Sequence, residues 1–164
     1  MGFLVMTIRM KRRQLLGLMA GTVMGGLRTA AAGPGSLALI TNVSNGLTSL
    51  GRHELRRIFL GEGNGVGNQI ITPFNLPPGT APRILFDRTI LAMTSDEIVK
   101  YWIDHRIRGQ SGPPRNMPNP EIMVKIVARF TGALAYVPLA FVNATVRVVR
   151  LEGRLPQDPG YPIG

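Results

Sequence analysis

Residues 36–43 read Ser-Leu-Ala-Leu-Ile-Thr-Asn-Val, bounded by Gly35 before and by Ser44-Asn45-Gly46 after. An apolar, partly β-branched run of this length between turn residues predicts a buried strand. A helix is expected next, over residues 49–60, with Leu55, Ile58 and Phe59 on one face and Arg52, Arg56 and Arg57 off it. The same alternation then repeats. Residues 69–75 (QIITPFN) predict a second strand, in which Pro73 favours a sheet edge or a strand end. Pro77-Pro78-Gly79 is a turn, and Pro82 suits the first turn of a helix running to about Leu91. Thr94-Ser95-Asp96-Glu97 is a capping box opening a helix that places Ile98, Tyr101, Trp102 and His105 on one face and ends near Gly109. A Gly/Pro-rich loop with four prolines spans residues 110–120. Asn119-Pro120 starts a helix whose apolar face carries Met123, Ile126, Val127 and Phe130, and Gly132 ends it. Two closing strands are expected at residues 133–137 and 145–151, followed by a Pro/Gly-rich tail over residues 153–164. Strands alternating with helices predict an α/β or α+β fold.

The 164 residues suit one domain, and 45% hydrophobic with 17% charged residues suffices for a core. With no cysteine, disulfides, thiolate catalysis and Cys-ligated metal are excluded. The formal charge of +10 divides unevenly. Arg9, Lys11, Arg12, Arg13 and Arg28 lie in the first 32 residues, which hold no acid, leaving 14 basic against 9 acidic residues and +5 for the remainder. That balance favours anions without indicating a nucleic-acid binder, and the helix aromatics sit on apolar faces rather than along a basic stripe.

The first 32 residues carry the features of an export signal. Lys11-Arg12-Arg13 form a positive segment, residues 15–27 an uncharged apolar stretch, and Ala30-Ala31-Ala32 a small-residue cleavage site. The apolar stretch is shorter than the roughly 20 residues of a membrane span. Arg12-Arg13 followed by Leu15-Leu16 partly matches a twin-arginine signal, so both the general secretory and the twin-arginine route are open. The expected product is a soluble periplasmic domain beginning at Gly33.

No residue set has the pattern of a catalytic or metal centre. His53 and His105 lie on separate helices, His105 on an apolar face as a packed histidine, and none of the acids pairs with a His at zinc spacing. The glycine run over residues 61–67 follows a helix and leads to a strand, so a flexible connector is expected rather than a phosphate loop. The better anion candidate is Gly79-Thr80 with Arg83, where a helix N-terminus, a hydroxyl and a guanidinium come together. The alternative there is a simple N-cap beside a solvated arginine.

The order of segments resembles the bacterial phosphate ABC-transporter substrate-binding proteins. Residues 54–61 (ELRRIFLG), Tyr101-Trp102 with the following Gly/Pro loop, and residues 131–137 (TGALAYV) are similar to successive motifs of that family over roughly residues 37–149. The resemblance implies one periplasmic-binding-protein-like lobe of type 2, a mixed sheet flanked by helices, where full-size members clamp the anion between two lobes. It also aligns Gly79-Thr80 with the family's phosphate-wrapping segment, although Pro78 stands where that segment has Ser and Phe74 where it has Arg. The implied function is binding of phosphate or a similar small oxyanion in connection with ABC transport. Gly79, Thr80 and Arg83 would form the pocket floor, and Asn42, Ser44 and Asn45 the opposite lip beyond the first strand. A permease or another periplasmic protein would be the partner. The alternative is a ligand-free accessory or sensor module that uses its exposed lobe face for self-association or for another chain.

Overall fold

The computed structural model describes residues 35–164. The export signal expected in residues 1–32 lies outside them. The chain opens with β1 (Leu37–Asn42), β2 (Ser49–Leu50) and α1 (Arg52–Phe59), then a small hairpin of β3 (Gly65–Val66) and β4 (Gln69–Ile70). Next come β5 (Thr72–Asn75), α2 (Ala81–Phe86), α3 (Ser95–Ile107), β6 (Arg115–Asn116) and α4 (Pro120–Arg129). β7 (Ala133–Pro138), β8 (Val146–Val148) and β9 (Arg150–Leu151) close it.

The central sheet is mixed, in the order β6-β5-β7-β1-β8. β5 runs parallel to β6 and β7, whereas β1 runs antiparallel to both β7 and β8. Every residue of β1 is buried. Because successive side chains of a strand point to opposite faces, both faces of the sheet centre are covered, as the unbroken apolar reading of this segment requires. α4 packs against β7 and β1, while α1 packs against β5. An aromatic stack ties the elements together: Phe86 lies 3.9 Å from Tyr136 with the rings near parallel, and Phe59 lies 4.7 Å from Phe86.

Several boundaries differ from expectation, each for a local reason. The first helix starts only at Arg52, because Ser49–Leu50 pairs in parallel with Arg150–Leu151. The expected strand at residues 69–75 breaks at Ile71, whose N–H donates to Asn64 O at 2.7 Å. Pro73 has a partner strand on one side only, β7, so its missing N–H disturbs no ladder. The glycine run is a folded hairpin, closed by a two-residue Gly67-Asn68 turn, and not a loose connector. α2 continues as a π-helical turn, Asp87–Leu91. Phe130 is 45% exposed, because the backbone turns extended at this C-cap position and swings the ring off the α4 face.

The C-terminal residues are not a tail. Tyr161 and Ile163 are buried, and Ile163 O accepts the Leu37 N–H at 2.9 Å, so this segment closes the start of β1. Its prolines hide two apolar anchors. Among the described residues no helix is long and apolar enough to cross a membrane.

Candidate functional site

Strand direction separates the residues expected to form one pocket. Thr41 pairs with Leu134 and Thr72 with Ala133, so Asn42, at the end of β1, is level with the start of β5. Asn75 lies three residues further along, roughly 10 Å at the rise of a strand. Asn42, Ser44 and Asn45 therefore lie towards one end of the sheet, and the segment leading to Gly79, Thr80 and Arg83 leaves from the other. The expected two-lipped pocket does not form, because β1 runs against β5 rather than with it.

The two asparagines of the first group are spent on the backbone, while Ser44 is exposed and, among the described residues, bonds only through its N–H. Asn42 Nδ2 donates to Val127 O at 3.0 Å and Ala128 O at 2.8 Å, and its Oδ1 accepts the Ser44 N–H at 2.8 Å. Asn42 thus caps the C-terminal carbonyls of α4, which the helix itself cannot satisfy. Asn45 repeats the device, donating to Thr131 O and accepting from Leu47 N–H. Arg147 donates to Asn45 O and Val43 O, both at 2.8 Å. These residues bind their own chain.

At the other end, Pro77-Pro78-Gly79-Thr80 is a β-turn, with the Thr80 N–H 3.4 Å from Pro77 O and Gly79 at φ 81°. Proline followed by a left-handed glycine is the type II arrangement, which explains Gly79 without a ligand. The Thr80 hydroxyl donates to the same Pro77 O at 2.8 Å. Arg83 is not a solvated charge. It is 6% exposed, its Nε donates to Asp87 Oδ2 at 2.7 Å, and its Nη1 donates to Leu76 O at 3.2 Å and Asn116 Oδ1 at 3.5 Å. Nη2 has no partner among the described residues. Asp87 Oδ1 is buried and unpartnered. Burial pushes the Asp87 carboxyl above the usual carboxylate range even though Arg83 pulls it down.

Arg83 lines a cleft of about 400 Å³ between the exit of β5 and α3. Asn75, Arg83 and Asn116 form one side, Trp102, Ile103 and Arg106 the other, and Pro113-Pro114 a third wall. Among the described residues, Arg83 and Arg106 are its only ionisable ones. Arg106 is exposed and makes no ion pair among the described residues. A neighbouring hollow of about 430 Å³, between the glycine hairpin and the same proline wall, has Arg115 as its one ionisable residue among the described residues.

The proline wall is held by His105. Its Nδ1 lies 3.2 Å from Ser111 O and its Nε2 3.2 Å from the Tyr101 hydroxyl, while that hydroxyl donates to Leu60 O at 2.8 Å. Gly61, at φ 70°, lets Trp102 approach: a Cβ there would meet the indole at 3.3 Å and Ser111 Oγ at 2.8 Å.

Sequence reasoning missed Arg106, Asn75 and Asn116. A signal existed for the first. α3 is apolar on more of its surface than one core-facing stripe needs, with Val99, Ile103 and Ile107 beyond the expected face and Arg106 four residues from Trp102. Among the described residues, no three His, Asp or Glu gather where they could hold a metal ion.

No protein-family model and no curated sequence matches the chain. Solved structures do. It is similar to an ABC-type phosphate transport receptor from Vibrio cholerae at 18% identity and a TM-score of 0.59, over 74% of this chain and 48% of that one. It is similar to PstS from Borrelia burgdorferi at 13% identity and 0.60, over 78% and 53%. A putative phosphate ABC-transporter substrate-binding protein from Clostridium perfringens, solved with bound phosphate, aligns at 17% identity and 0.58, over 72% and 45%. The chain thus has the fold of part of these binding proteins and spans about half their length, in agreement with the resemblance read from its motifs.

Proposed function

We propose that this domain is a periplasmic solute-binding module that takes a small oxyanion, of which phosphate is one, in the Arg83–Arg106 cleft. The observation that carries this reading is a cleft at the carboxyl end of β5 whose only ionisable groups among the described residues are two guanidiniums. Ligands of open α/β sheets bind beyond the carboxyl ends of the strands, and a volume near 400 Å³ suits a small molecule. Arg106 supplies an unpaired fork, and Arg83, anchored by Asp87, supplies Nη2. Gly79 and Thr80 shape the turn that positions Arg83 and do not themselves hold the anion. The likeness to phosphate transport receptors supports the solute-binding role and, with it, delivery to an ABC permease. Calorimetric titration with phosphate, sulfate and acetate tests it. The expected result is saturable binding that weakens about tenfold or more in Arg106→Ala, the worth of a charged hydrogen bond. No heat with any anion overturns it.

A second reading, an interaction module, is favoured by one observation: Val99, Ile103 and Ile107 are 58%, 55% and 79% exposed along α3. A dimer by light scattering that is indifferent to anions, and is lost in Ile107→Asp, would establish it.

A further inference from the structure

The cleft's walls say more about the ligand than its charges do. A bare phosphate is held by several N–H and O–H donors converging on it, and the 77–80 turn beside the cleft offers few. Pro77 and Pro78 have no backbone N–H to offer. The Thr80 hydroxyl proton is given to Pro77 O. Asn75 Oδ1 accepts the Tyr136 hydroxyl and Asn116 Oδ1 accepts Arg83, so among the described residues the side-chain donors left to a ligand are the two Nδ2 amides, Arg83 Nη2 and Arg106. What faces the cleft instead is apolar: the Trp102 indole, the Ile98, Val99, Ile103 and Ile107 side chains, and the Pro113-Pro114 wall. Three of these aliphatic side chains are more than half exposed, the kind of surface that becomes buried against an apolar ligand.

We infer that the ligand is an organic monoanion with an apolar body, a carboxylate on a short hydrocarbon chain, its head on Arg106 and Arg83 and its body along α3. One guanidinium fork satisfies a carboxylate with two parallel hydrogen bonds. The stripe Val99-Ile103-Ile107 repeats every four residues and so presents a continuous track along the helix for the chain. The inference rests on the anion-binding reading above and names the class of anion.

Trp102 is the only tryptophan and lines the cleft, so its fluorescence reports occupancy directly. The purified protein is titrated with acetate, butanoate, hexanoate and octanoate below micelle-forming concentrations, and with inorganic phosphate and octanol. Affinity is expected to rise about two- to fourfold with each added methylene, the worth of burying it in a partly open cleft. Ile103→Asn, which adds no charge beside Arg106, should flatten this series by weakening octanoate far more than acetate, and Val99→Asn is the second variant for the same wall. Arg106→Ala should weaken every anion and leave octanol unaffected. A flat series, with octanoate no better than acetate or phosphate, overturns the inference and leaves the oxyanion reading standing. Octanol binding as well as octanoate overturns the anionic head and therefore both. No response to any anion, by fluorescence or calorimetry, likewise overturns both.

Discussion

The two ends of the central sheet use the same kinds of residue for opposite purposes. At the end of β1, Asn42 and Asn45 turn their amides inward onto the carbonyls of residues 127, 128 and 131, and every named polar contact there is made within the chain. At the exit of β5, Asn75, Asn116 and Arg83 also bond to one another's neighbourhood, yet they border a cleft, with Arg106 and Arg83 Nη2 left over. Polar residues beyond a strand end are therefore not in themselves a site. What separates closure from a site is whether donors are left after the backbone has been served.

The largest expected effect tests the cleft end from beneath. Asp87→Ala leaves the guanidinium of Arg83 buried without its counter-charge, and should lower stability by about 3–5 kcal/mol by chemical denaturation. Asp87→Asn should cost less, because burial outweighs the pull of Arg83 and holds the folded carboxyl above its ordinary value. The sign follows from that direction. A carboxyl raised on folding contributes stability fully present below its unfolded value and lost as pH rises through its folded one. The contribution of Asp87 to stability should thus fall as pH rises above the unfolded carboxyl's range, and Asp87→Asn should remove that contribution. An opposite slope would mean that the ion pair dominates burial.

At the other end, Asn42→Ala removes three hydrogen bonds around the C-terminus of α4. At about 1 kcal/mol each, the loss should be about 2–4 kcal/mol, with anion affinity unchanged in the folded fraction. A fall in affinity at constant fold would break the contrast between the two ends. His105→Ala comes next. It frees Ser111 and the proline wall at the expense of two partly exposed contacts, so about 1 kcal/mol is expected, together with faster amide exchange over residues 110–116. Unchanged exchange would show that the prolines alone hold the wall.

How much of this was legible in the sequence divides along a physical line. Local signals were legible. β1 and β7 read from their apolar runs, the Thr94 N–H donates to Glu97 Oε2 at 2.7 Å as the capping box requires, and Asn119 caps α4 as placed. Long-range partners were not. Asn42 reaches a carbonyl 85 residues away, and nothing near Asn42 announces it. β2 and β9 are two residues each, too short for an alternating pattern. The direction of β1 relative to β5 decided whether the expected lips met, and no residue spacing records strand direction. Arg83 and Asp87 are four residues apart on a helix, the spacing of an ion pair, which argues for a guanidinium anchored at Nε rather than a solvated one.

The smallest expected effect on stability is the one on which the contrast turns. Arg106 is exposed and unpaired among the described residues, so Arg106→Ala should leave the denaturation midpoint within about 0.5 kcal/mol of the parent. If it instead lowers stability by more than about 1 kcal/mol, Arg106 is serving the fold as Asn42 does. The exit of β5 would then be a second closed end and not a site. If stability holds while anion affinity falls about tenfold, the guanidinium is held in place for something outside the chain. A donor that the fold does not use and a ligand does is the difference between the two ends stated as a measurement.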